Sequence, residues 1–247
     1  MRLVTTFAAI AALSLLAASA QASTFTDGEF VTYSQGLWGS GFVTITDLLE
    51  GEFDTVFAPE GGFLEVGVPG AAGFSMTFLD ADSVIAYLPT NGTPGPLTAD
   101  LLDPVSSASG VFGGEVVALA LNLAFSDDDL LTHPPGVPFG DLVLQDLPGS
   151  EAIFDGLSVR DMFNLDNLAL GGLFVPFSIV DAQLVIDAVN QSFNGGVMST
   201  FAQENLALPS SGGASLVPEP PTWVMLLAGF AGLGFARYRG LRGSALV

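Results

Sequence analysis

Between Ser23 and Pro220 the chain carries 26 acidic residues and a single basic one, Arg160, with no Lys anywhere. That stretch therefore has a net charge of −25 from 26 acids against one Arg. Its field repels nucleic acid and anionic lipid surfaces, favours solubility and attracts divalent cations diffusely. Nucleic-acid binding is excluded. The acids are scattered among apolar residues, and 49% of the chain is hydrophobic, so a folded body is expected rather than disorder. About 190 residues suffice for one sizeable core. With no Cys in the chain there is no disulfide framework, no thiolate metal site and no lipoprotein anchor.

Both termini differ from that body. Met1-Arg2 forms a minimal basic start, Leu3 to Ala18 is apolar, and Ala20-Gln21-Ala22 is a small-x-small cleavage site. This order predicts a signal peptide over residues 1–22 and a mature chain from Ser23. At the other end, Val217-Pro218-Glu219-Pro220-Pro221 precedes an apolar run from Trp223 to Ala236, followed by Arg237, Tyr238, Arg239 and Arg242. Proline lacks an amide donor and suits the first helical turn, so a helix is expected to start near Thr222. The run of 14 residues is short for a membrane, about 21 Å against a hydrocarbon core of ~30 Å. Continuing to Leu241, with snorkelling Arg side chains and with Trp223 and Tyr238 at the two interfaces, predicts a transmembrane helix over 222–241. Ala228, Gly232 and Ala236 would give it a small-residue stripe. Arginines behind the greasy segment place that end in the cytoplasm and everything upstream outside.

The order Val217-Pro218-Glu219-Pro220, short Gly-rich apolar helix and terminal Arg cluster resembles the PEP-CTERM sorting signal of Gram-negative bacteria. The resemblance covers residues 217 to 242 and departs from the usual pattern in the extension Gly243 to Val247. It implies recognition by an exosortase, a membrane-embedded cysteine protease or transpeptidase, with Val217, Pro218, Glu219 and Pro220 as the sorting element. Arg237, Arg239 and Arg242 would then be the membrane stop. It further implies an exported protein held at the inner membrane before processing, then found at the cell surface or in the extracellular, biofilm matrix with polysaccharide as a partner.

Within the body, Phe42, Thr44 and Thr46 alternate with Val43 and Ile45, Phe63, Glu65 and Gly67 with Leu64, Val66 and Val68, and a segment Phe74 to Leu79 follows Pro69-Gly70. These read as short antiparallel strands. Trp38 is read as a core plug rather than a ligand-stacking platform. Asp80 or Asp82 can cap a helix through Leu88. The run Val111 to Phe125 alternates like a strand, yet its length and Ala/Leu content favour a buried helix. Ser158 with Asp161 and Ser178 with Asp181 have capping-box spacing, and the second precedes Ala182, Ile186, Val189 and Phe193 on one helical face. The expected fold is α+β, with short antiparallel strands in the first half, helices in the second and the C-terminal transmembrane helix. The body is expected over 23–198, joined by a flexible linker, 199–216, to the tail at 217–247.

Chemistry is sparse in the sequence. His133, the one histidine, sits in Thr132-His133-Pro134-Pro135 without a Gly-x-Ser-x-Gly turn, so neither a Ser-His-Asp hydrolase nor an ordinary zinc site is expected. No cofactor and no catalytic residue is expected. Asp127, Asp128 and Asp129 form the densest acid cluster, a weak Ca²⁺ candidate if Asp103 or Asp141 lies near, with a solvated helix end as the ordinary reading. The leading expectation is a non-enzymatic exported surface protein. A secreted carbohydrate-active enzyme using an Asp/Glu pair, or a Ca²⁺-dependent adhesin, is the alternative.

Overall fold

The computed structural model describes residues 25–209. Ser34 opens the first helix, α1 (Gln35–Trp38), its side chain accepting from the Leu37 amide. Then come α2 (Val43–Val56), a 3₁₀ turn at Ala58–Glu60 and the strands β1 (Leu64–Gly67) and β2 (Ser75–Phe78). Of the two candidates, Asp80 caps α3 (Ala81–Tyr87), accepting from the Ser83 amide at 2.8 Å, and Asp82 lies in the first turn. The two-residue β3 (Leu101–Leu102) leads to α4 (Gly110–Asp127). A 3₁₀ turn at Phe139–Asp141, β4 (Val143–Leu144) and a second turn at Gly149–Phe154 lead to α5 (Val159–Leu170). The described chain closes with α6 (Ile179–Asn190), α7 (Thr200–Asn205) and β5 (Leu206–Ala207).

The architecture is built around α4. All but three of its residues, Val111, Ala124 and Asp127, are buried, with α6 and α5 making its largest contacts and α1, β1 and the 139–141 turn closing the remaining sides. Such all-round burial explains why its sequence has no polar stripe. Trp38, fully buried, packs edge-on to Tyr33 and against Phe125, as a core plug does. The helices α5 and α6 start where the serines predicted. Ser158 accepts from the Asp161 amide, and Ser178 from Val180.

The expected α+β arrangement needs correction. The residues read as a first strand, Phe42 to Thr46, enter α2, whose buried Ile45, Leu49, Phe53 and Val56 recur at helical spacing. Strands are few and short, and not all antiparallel: β1 and β2 form the expected hairpin, but β3 adds in parallel, and a separate antiparallel pair joins β4 to β5. The fold is mixed, with helices in both halves. Among the described residues the helix long and apolar enough to cross a membrane is α4, and 83% of its window is buried inside the protein. It is a core helix. The segments expected as signal peptide (1–22, with Ala20 and Ala22) and as sorting tail and transmembrane helix (217–247) lie outside the described residues. The expected linker also starts too early, because Thr200–Ala207 forms α7 and β5.

Candidate functional site

Two polar constellations emerge, one sealed in the core and one open. The sealed one joins α1, α4 and α6. Asn122 of α4 accepts from the Tyr33 amide at 2.8 Å and donates to the Tyr33 carbonyl and to Asn190 Oδ1. Asn190 donates in turn to Glu115 Oε2 at 2.8 Å, and Gln35 donates to Glu115 Oε1 at 2.6 Å. Thr32 closes the chain by donating to the Asn190 carbonyl. Each amide thus satisfies groups that would otherwise be buried bare.

Burial pushes the Glu115 carboxyl up to about 7, and the nearby Asp187 charge adds to the rise, while hydrogen bonds from Asn190 and Gln35 oppose it. A carboxyl poised near neutrality beside a second one has the acid–base character a glycosidase needs. Its placement is wrong for that task. Glu115 is 2% exposed and an amide occupies each of its oxygens, so no glycosidic oxygen can reach it. Asp166 on α5 is also fully buried, and burial raises its pKa well above the ordinary value; among the described residues neither of its oxygens has a hydrogen-bond partner.

The open constellation is a groove of about 350 Å³ where the 57–60 turn, β1, α4 and α5 meet. Gly61 and Gly62, at φ 105° and 84°, reverse the chain after the turn in a conformation that side chains resist, leading into Phe63, just before β1, and Glu65 within it, both of which line the groove. On α4, Leu123, Ala124 and Asp127 line the groove at i, i+1 and i+4, and on α5 Arg160, Phe163 and Asn164 do so at i, i+3 and i+4. Phe57, Phe63 and Phe163 supply aromatic walls.

Arg160 is paired with Asp127. Its Nη1 and Nη2 donate to the two Asp127 carboxylate oxygens at 2.9 and 2.7 Å, and Asp127 holds the guanidinium above its ordinary pKa, with Asp141 and Asp161 contributing. Gly140 makes room for this pair, because a Cβ there would lie 2.5 Å from Arg160 Nη2. Glu65 is half-buried, its Oε1 accepting from Ser75 at 2.7 Å and from Thr77 at 3.5 Å.

The acid cluster singled out in the sequence falls partly here. Asp127 and Asp128 line the groove, whereas Asp129 turns towards His133, with 3.0 Å between its Oδ1 and His133 Nε2. That contact has an ion pair's distance but not a hydrogen bond's alignment, and His133 Nδ1 lies 3.0 Å from the Pro134 carbonyl. Asp103 is occupied elsewhere, accepting from the Leu79 amide. Among the described residues no group of three acidic or His side chains is arranged to hold a metal ion. Sequence reasoning missed Glu65, Phe163 and the Asp127–Arg160 pair. The signal available was their helical spacing and the uniqueness of Arg160; only the fold brings β1 beside them. Comparison with protein families, characterised proteins and solved structures finds no match.

Proposed function

We propose that this chain is an exported, non-catalytic surface or matrix protein, held at the inner membrane of a Gram-negative bacterium through its tail and then sorted by an exosortase. The terminal segments carry the reading: an N-terminal signal, and the order Val217 to Pro220, apolar run, and Arg237, Arg239 and Arg242. The compact unit reaches Pro209, so a cut at Val217 to Pro220 would fall beyond the body in sequence. The body is delivered as an acidic binding module among extracellular polysaccharide. The sealed position of Glu115 favours this over a carbohydrate-active enzyme built on its carboxyl pair.

Expression with and without residues 217–247 in a host carrying an exosortase, followed by cell fractionation, tests the address. The full chain is expected first in the envelope and then, shortened, at the surface. The truncated chain is expected in the periplasm. Equal envelope retention of both forms would refute the role given to the tail.

A further inference from the structure

We propose that the groove between β1, α4 and α5 is a binding site for an organic ammonium ion, with a primary amine seated on Glu65 and its apolar body against Phe57, Phe63 and Phe163. The inference goes beyond the surface reading and does not depend on it.

Three independent features select a cation. First, Glu65 is a held carboxylate rather than a solvated one: it is half-buried on a strand, Ser75 and Thr77 fix its Oε1, and its Oε2 meets no donor among the described residues. A rigid acceptor with one free oxygen matches an N–H donor that brings its own positive charge. Second, the C-terminal end of α4 opens onto the groove at Asp127 and Asp128, with no basic residue in its last turn. The negative pole of an 18-residue helix lies there; Arg160 answers Asp127, while Asp128 has no ion-pair partner among the described residues. Third, Phe57, Phe63 and Phe163 line the groove, and aromatic rings attract cations where they present a face. Arg160 does not oppose this, because Asp127 neutralises it in a two-pronged pair, leaving Glu60, Glu65 and Asp128 as the groove's excess charge. An anion would meet three carboxylates, and a neutral apolar molecule would leave Glu65 unpaired.

The cavity size suits a molecule with one ring or a short alkyl body rather than a bare metal ion, for which no three-ligand cluster is present among the described residues. The test is calorimetric titration of the full chain at pH 7 and low salt with 2-phenylethylammonium, with 2-phenylethanol as the neutral isostere and phenylacetate as the anion. The expected Kd for the cation is about 1 mM or tighter, with 2-phenylethanol roughly tenfold weaker and phenylacetate not bound. Glu65→Gln keeps an acceptor for Ser75 and is expected to weaken the cation roughly tenfold while leaving the alcohol unchanged. Asp128→Asn, at an exposed helix end, provides the same reading with no risk to the core and is expected to weaken the cation by about two- to fivefold. Phe163→Leu is expected to weaken both the cation and the alcohol. Equal affinity for cation and alcohol, or cation affinity unchanged in both carboxylate variants, overturns the proposal.

Discussion

At the scale of single residues, the buried carboxyls make stability depend on pH in an unusual direction. Glu115 has a folded-state pKa of about 7 against an ordinary value of 4.5. The folded chain therefore holds a proton that the unfolded chain has lost between those values. Stability from this group is full below about pH 4.5, falls as pH rises, and levels off above about 7, by on the order of 3 kcal/mol. Asp166, raised by burial alone, adds a slope of the same sign. Urea midpoints measured from pH 5 to 8 are expected to fall with pH, and Glu115→Gln to flatten that fall. A midpoint that rises across the window would mean that Glu115 is ionised throughout in the folded chain. Neither pKa was legible in the sequence, because both depend on which side chains the fold places around two of 26 acids.

Among elements, the region 42–56 shows how local patterning misleads. Val43, Thr44, Ile45 and Thr46 are β-branched or neighbours of such residues, and over five positions they alternate like a strand. Over fourteen positions the spacing of Ile45, Leu49, Phe53 and Val56 is helical, and packing against α3 and α1 decides for the helix. By contrast, Asp80, Ser158 and Ser178 announced their helices, since a cap is a contact within three residues. The joint between α1 and α3 rests on Gly39, where an added Cβ would fall on the Leu88 carbonyl. That backbone cannot rotate aside, so Gly39→Ala is expected to cost on the order of 2–3 kcal/mol in chemical denaturation. Gly51 on α2 has open space around it, and Gly51→Ala is expected to gain roughly 1 kcal/mol from helix propensity. Equal effects of the two substitutions would contradict the close packing at Gly39.

For the molecule as a whole, charge and core pull in opposite directions. Between Phe25 and Pro209 the one cation, Arg160, is already paired with Asp127, so the remaining acids repel one another with nothing to offset them. Raising NaCl from ~0.01 M to ~0.15 M shortens the screening length from ~30 Å to ~8 Å. The Tm in calorimetry is expected to rise, by about 2–4 °C for each 1 kcal/mol of repulsion relieved; a fall would mean that attractive pairs dominate. The sequence by itself determined the sign of this field, the want of cysteine chemistry and the caps of α5 and α6; it favoured a helix over a strand for the central run and left Asp80 and Asp82 as alternative caps of α3. Each of these follows from composition or from contacts a few residues apart. Only the tertiary structure decided that Glu115 is closed to solvent, that Asp127 binds Arg160 across 33 positions, and that Glu65 faces a groove walled by Phe57 and Phe163. Those are meetings of distant segments, and no periodicity along one segment encodes which other segment will lie against it.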